Sequence, residues 1–192
     1  MGSATYDAEV FSVSDIDAAK RIIITPSADM GTAERWEAET PYLAGLLGEA
    51  MDIRPGQLVI DYGCGIGRLA KALIERFDCM ILGVDSSGDM RALATGYVDS
   101  AAFSVLSRRV LEGMAQRGLR ADAAFSVSVL QHCLRPDQDI RVIASALRGA
   151  APVSVVNLHR RAVPTVESGW IRRLGYSCAS WNGAQPSEHC SP

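Results

Sequence analysis

The chain predicts an α/β protein with a doubly wound, mostly parallel sheet and helices on both faces, and three observations predict it. Short apolar runs alternate with amphipathic helical stretches from residue 58 to residue 158, the rhythm of a parallel sheet covered on both sides. The first run, Leu58-Val59-Ile60-Asp61-Tyr62, leads straight into Gly63-Cys64-Gly65-Ile66-Gly67-Arg68, a glycine loop that opens a helix. The next run, Met80 to Asp85, ends on a carboxylate. Glycines at alternate positions let the backbone turn sharply and approach a ligand with no Cβ in the way, while the free N–H groups of the helix start face that ligand. Asp85 then stands where it can accept hydrogen bonds from both hydroxyls of a ribose, the layout of a nucleoside-cofactor site.

The elements follow in order. Ser12-Val13-Ser14-Asp15 and Ser14-Asp15-Ile16-Asp17 are overlapping capping boxes and predict a short helix through Lys20 or Arg21. Residues 25–32 read as a loop. Thr40-Pro41 supply an N-cap and a first-turn proline for a helix through about Met51, with Leu43, Leu46 and Leu47 on one face. After the first strand, Leu69, Leu73, Ile74 and Phe77 form the stripe of the next helix. Strand two is Met80–Asp85; Ser86 with Asp89 caps a helix that stops at Gly96, and strand three covers about Ala101–Leu106. Strand four is about Ala123–Val129. Pro136 opens a helix that Gly149 closes, burying Ile140, Ile143, Ala146 and Leu147, and strand five is Val153–Leu158. Val166–Leu174 can form a helix and Tyr176–Trp181 a strand; the polar tail Asn182–Pro192 leaves the last strand missing or very short.

A length of 192 residues fits one domain. With 48% hydrophobic and 21% charged residues the composition is that of a soluble globular protein rather than a disordered one. A net charge of −3 argues against a nucleic-acid partner, which favours a basic face. The cysteines at 64, 79, 133, 178 and 190 are odd in number and contain no C-x-x-C, so they read as reduced thiols of a cytoplasmic protein, with no metal site. No signal peptide is expected at Met1-Gly2-Ser3-Ala4-Thr5-Tyr6, Tyr6 breaks the myristoylation pattern, and no stretch approaches the roughly 18 apolar residues of a membrane span.

Two cofactor classes share this layout, and the spacing separates them. A dinucleotide fingerprint, G-x-G-x-x-G or A, fails from Gly63, where the sixth position is Arg68. Read from Gly65 it reaches Ala70 but leaves Gly63 unexplained. Asp61, two residues before the first glycine, would repel a pyrophosphate and attract a cationic amino group.

At these residues the chain resembles the class I S-adenosylmethionine-dependent methyltransferases of small-molecule type, whose first motif is commonly (V/I)-(L/I/V)-D-x-G-C-G-x-G. Arg54-Pro55-Gly56, Gly83-Val84-Asp85-Ser86-Ser87 and the strand-four segment from Asp122 to Gln131-His132 are similar to that family too. The resemblance covers roughly residues 40–160. It implies a Rossmann-like single domain over 1–192, with an N-terminal lid or cap (1–39), a cofactor-binding core (40–160) and a short C-terminal region (161–192). S-adenosylmethionine is the implied cofactor, and a small molecule with an oxygen, nitrogen or carbon nucleophile the implied substrate. A nucleotide-cofactor oxidoreductase and a non-catalytic S-adenosylmethionine-binding module are the alternatives.

The resemblance also distributes roles. Asp61, Gly63, Gly65 and Gly67 fall at the methionine end of the cofactor, and Asp85 with Ser86 at the ribose. As a plain helix-start charge Asp85 would be worth only about 0.3–1 kcal/mol. Family members usually carry an acid after strand three for the adenine; here Ser107 stands nearby instead, and Ser126 in strand four completes the cofactor set. His132 is either a cap on the strand end or a general base acting on a substrate hydroxyl or amine. Gln131 beside it, Trp36 ahead of the core and Arg160 after strand five are the substrate-binding candidates. No N-P-P-Y or D-P-P-Y follows strand four and no Pro-Cys pair is present, which removes the patterns for methylating exocyclic amino groups and pyrimidine rings.

Overall fold

The computed structural model describes residues 11–25, 30–157, 178–181 and 186–190. Helix α1 (Ile16–Ile23) is capped by Asp15, whose side chain accepts from the Ala18 N–H at 2.8 Å. Helix α2 (Thr32–Ala50) starts a full two turns earlier than Thr40-Pro41 predicts. The Gly31 N–H donates to Glu34 at 2.9 Å, Arg35 pairs with Glu39 one turn on, and the Thr40 hydroxyl donates back to the Trp36 carbonyl instead of capping. Pro41 therefore lies inside the helix. It lacks the N–H that would reach Glu37, a local loss offset by the burial of Leu43, Ala44 and Leu47 just beyond it.

The core then alternates: β1 (Leu58–Tyr62), α3 (Arg68–Phe77), β2 (Met80–Val84), α4 (Gly88–Val98), β3 (Phe103–Leu106), α5 (Arg108–Gln116), β4 (Ala123–Val127), a single 3-10 turn (Leu130–His132), α6 (Pro136–Ser145) and β5 (Val153–Val156). Several boundaries differ from the sequence reading: β3 starts at Phe103 rather than Ala101, β4 ends at Val127 rather than Val129, and α6 ends at Ser145, ahead of Gly149. Helix α4 is capped by Ser87, not Ser86, through a 3.2 Å bond from the Met90 N–H, and it runs past Gly96 because Val98 is still buried; Asp99 in the left-handed region ends it. Helix α5 has no counterpart in the pattern reading, since only Leu111 and Ala115 are buried on it, too sparse a stripe to register as periodic.

The sheet order is β3-β2-β1-β4-β5-β6-β7, where β6 is Cys178–Trp181 and β7 Pro186–Cys190. Strands β1 to β6 pair in parallel and β7 runs antiparallel to β6. The five-residue β7 corrects the expectation of a missing or very short last strand. A strand at the sheet edge needs no alternating apolar pattern and tolerates proline at its first position, so Pro186-Ser187-Glu188-His189-Cys190 carries no strand signal in the sequence. The helix expected at Val166–Leu174 lies outside the described residues.

Successive residues of the central strands feed opposite faces. Val59, Ile81 and Phe125 pack with Leu43, Leu47, Leu69 and Leu73 of α2 and α3, while Ile60, Leu82 and Ala124 pack with Leu111 of α5, Ile143 of α6 and Leu147 just beyond it. The switch in strand order falls between β1 and β4, which opens the crevice at their carboxyl ends where open α/β sheets bind ligands. Among the described residues, no helix is long and apolar enough to cross a membrane.

Candidate functional site

The site grows out of the end of β1. Gly63 and Cys64 both donate to the Val84 carbonyl, at 2.7 and 3.1 Å, so the loop turns back onto β2. Gly63, Gly65 and Gly67 all have positive φ (84°, 54° and 83°). A Cβ at Gly67 would sit 2.4 Å from Val98 Cγ2, and one at Gly63 would sit 2.2 Å from Val129 Cγ2. Glycine is thus required twice over, by conformation and by space. Gly67→Ala is expected to lower stability by about 2 kcal/mol or more, because the left-handed backbone costs about 1–2 kcal/mol and the stiff, buried Val98 must also give way; a denaturant midpoint equal to wild type would contradict this.

Gly67 caps α3 without any side-chain bond, which leaves first-turn N–H groups for a ligand. Across the loop, Asp85 is half-buried and accepts from the Gly65 N–H at Oδ2 and the Ser87 N–H at Oδ1, both at 2.8 Å. Burial raises its pKa above the usual carboxylate range, and the same backbone donors pull it back. These donors leave the carboxylate with acceptor capacity to spare. Ser86, adjacent, is exposed.

Asp61 lies deeper. It is 3% exposed, and burial, reinforced by the Asp85 charge and opposed by Arg68, pushes its pKa from 3.8 to about 8. Its carboxyl is therefore protonated at neutral pH. Arg68 opens α3 next to it and stacks on the Trp36 ring at 5.3 Å, with Lys20 of α1 at 5.4 Å from the same ring. Trp36 is half-buried and meets Tyr97 edge to face at 6.1 Å. The structure thus joins it to the end of the glycine loop through Arg68, and to the N-terminal segment through Lys20.

That segment crosses the loop. Ile23 lies where a Cβ on Gly65 would be, 2.8 Å away, and Ala19 of α1 packs with Ile66 and Met90. Ser12 and Val13 donate to Asp89 at 3.0 and 3.2 Å, and Ser87 donates to the Phe11 carbonyl at 2.8 Å, fastening residues 11–24 over the start of α4.

Beyond β4 the sequence-predicted residues part company. Gln131 is buried and His132 exposed, with the amide nitrogen 3.0 Å from His132 Nε2. An amide nitrogen only donates, so Nε2 accepts. Ser126 and Ser107 both have structural partners. Ser126 is 1% exposed and donates to the Tyr62 carbonyl at 2.9 Å, and Ser107 caps α5 by accepting from the Val110 N–H at 3.4 Å. Ser126 is thus taken up by strand pairing, while Ser107 combines its capping bond with a half-buried hydroxyl. Arg160 lies outside the described residues.

Three groups near the site escape a reading by motif. Tyr62 donates to Asp139 at 2.6 Å, and Arg108 donates to the same carboxylate oxygen at 2.8 Å, so one carboxylate ties β1, α5 and α6 together under the His132 turn. Burial and the Asp139 charge raise the Tyr62 pKa, which keeps it a phenol. Glu39 and Arg68 are the others, both buried; Glu39 stands with Trp36 in the segment ahead of the core that the sequence marks as a cover, and a basic residue directly after the third glycine is the sequence sign of Arg68. A groove of about 530 Å³ between α5 and α6, lined by Arg108, Arg120 and Arg141 among others, is separate from the glycine loop.

Fold and site together define a doubly wound α/β protein whose glycine loop lines the crevice at the end of β1. Residues 59–152 match the family described as a methyltransferase domain. A 46-residue stretch is 44% identical to phosphoethanolamine N-methyltransferase 1 of Arabidopsis thaliana, covering 24% of this chain and 9% of that protein. An 84-residue stretch is 25% identical to hydroxymycolate synthase MmaA4 of Mycobacterium tuberculosis, covering 44% of this chain and 28% of that protein. The chain therefore spans only a minor part of the length of these curated relatives. In fold, a putative S-adenosylmethionine-dependent methyltransferase of Methanococcus maripaludis is similar over 90% of this chain and 74% of its own, at a TM-score of 0.60 and 15% identity. Residues 59–152 therefore carry a methyltransferase-domain match, and the chain has the fold of an S-adenosylmethionine-dependent methyltransferase.

Proposed function

We propose that this chain binds S-adenosylmethionine at the β1 glycine loop and methylates a small-molecule oxygen, nitrogen or carbon nucleophile. The observation that carries the reading is Asp61, a buried carboxyl just before a loop of three positive-φ glycines. An ammonium group beside it draws the carboxyl into its ionised form, whereas a pyrophosphate would hold it protonated. The uncapped start of α3 and the free lone pairs of Asp85 fit the remainder of such a nucleoside. The name of the Arabidopsis relative, a phosphoethanolamine N-methyltransferase, supports a small acceptor.

When bound, S-adenosylmethionine supplies a methyl group made electrophilic by its sulfonium. The work of this chain is then to bind, orient and exclude water. Asp61 and the glycine loop hold the amino-acid end and Asp85 the ribose, while α1, with Ile23 against Gly65, covers the loop from solvent. His132 stands after β4 as the group that can take a proton from the acceptor.

Calorimetric titration with S-adenosylmethionine, S-adenosylhomocysteine and NAD tests the reading. The first two are expected to bind with micromolar affinity and NAD not at all. NAD binding without a response to S-adenosylhomocysteine would show an oxidoreductase site; tight binding with no turnover across a substrate screen would show a binding module.

The same titration is expected to depend on pH through Asp61. In the ligand-free protein its carboxyl keeps a proton up to about pH 8, whereas an ammonium ligand calls for the ionised form. S-adenosylhomocysteine affinity should rise between pH 6 and 8, by up to about tenfold per unit, and Asp61→Asn should flatten the rise. The sign for stability is opposite. The folded, ligand-free protein holds a proton that the unfolded chain has already lost above pH 3.8. This group therefore costs stability progressively as pH climbs from there to about 8. Equal pH slopes for wild type and Asp61→Asn, in both affinity and stability, would remove Asp61 from the site.

A further inference from the structure

Arg68 is the first residue of α3, directly after the last glycine of the loop. Its side chain is 8% exposed, and its Nη1 has no hydrogen-bond partner among the described residues. The nearest acid, Glu39, is 4.0 Å from Nη1 at Oε2, while its Oε1 is held by Arg35, with Nε at 2.7 Å and Nη2 at 2.6 Å. The guanidinium carbon lies over the Trp36 ring, 5.3 Å from its centroid. A buried donor fixed in place from two sides and left without an acceptor is costly unless a ligand completes it. Glu39 and Trp36, both on α2, hold the group in position; neither satisfies it.

Asp61 and Arg68 bracket the glycine loop, an acid just before the first glycine and a cation just after the last, and each perturbs the titration of the other. A multiply charged anion such as a phosphate would meet Asp61, Asp85 and Glu39 as well as Arg68. An α-amino acid end, carrying one ammonium and one carboxylate, matches both members of the bracket.

We infer that Asp61 and Arg68 form a clamp for an amino-acid zwitterion: Arg68 Nη1 donates to the α-carboxylate of the cofactor's methionine end while the Asp61 carboxylate accepts from its α-ammonium. Arg68 is thereby a cofactor-binding residue, held by Trp36 and Glu39. This rests on the S-adenosylmethionine reading above and deepens it.

The test compares S-adenosylhomocysteine with its decarboxylated analogue, S-adenosyl-3-thiopropylamine, by calorimetry on wild type, Arg68→Met and Arg68→Lys. Wild type is expected to prefer the carboxylate-bearing ligand by about thirtyfold, the worth of a charge-assisted hydrogen bond. Arg68→Met should bring S-adenosylhomocysteine down to the level of the analogue while changing the analogue by less than about threefold, and Arg68→Lys should restore part of the preference. A wild type that binds both ligands equally overturns the clamp, and this arm stands even where a variant fails to fold. Equal weakening of both ligands in the variants also overturns it, by showing that Arg68 only ties α2 to α3. Failure of wild type to bind either ligand sinks the methyltransferase reading itself and the clamp with it.

Discussion

His132→Ala is expected to lower methyl transfer by roughly 10² or more while leaving S-adenosylhomocysteine affinity within a few fold, if the imidazole takes the acceptor's proton. The structure supplies an exposed ring at the carboxyl end of β4, on a 3-10 turn whose His132 N–H donates to the Val129 carbonyl at 2.8 Å. Gln131 lies 3.0 Å from Nε2, so the amide must release that nitrogen before it can take the acceptor's proton. Wild-type turnover at saturating acceptor should rise with pH through the titration of the imidazole, and the variant should lose that dependence. A variant that keeps both rate and profile rules out base catalysis by His132; one that loses thermal stability yet keeps its turnover per folded molecule makes the residue a cap on the strand end.

Asp85→Ala is expected to cost about 1.5–3 kcal/mol of cofactor affinity, or about ten- to a hundredfold or more. Two ribose hydroxyls would lose their acceptor, and so would the Gly65 and Ser87 N–H groups that Asp85 holds at 2.8 Å. Asp85→Asn should fall between, because its amide oxygen can still accept one of those bonds. Calorimetry with S-adenosylhomocysteine on variants of native circular dichroism measures the difference. Unchanged affinity in a folded Asp85→Ala would show that the acid serves only the loop and the start of α4.

Particular residues show where the sequence was readable. The strands β1 to β5 and the helices α3 and α6 follow from apolar spacing and from Pro136, since period and first-turn proline act within a few residues. The start of α2 did not. Thr40-Pro41 reads as a helix start, yet the pairing of Gly31 with Glu34 and of Arg35 with Glu39 carries the helix through them. Ser126 and Ser107 looked like ligand groups by position alone; one joins two strands and the other caps a helix. Strand β7 has no apolar alternation because an edge strand does not need it.

The sequence by itself determined the parallel α/β architecture, the glycine loop and the acid that follows β2. Each is written in residues close together in the chain, where backbone freedom at glycine and the burial period of a strand operate. Only the tertiary structure decided that Asp61 is buried enough to hold its proton, that Arg68 lies between Trp36 and Glu39 with a donor to spare, and that Tyr62, Arg108 and Asp139 tie β1, α5 and α6 together. Desolvation and charge pairing depend on which distant segments pack together, so the electrostatics of the site come into being only when α2 is laid against α3 and α6 against β1.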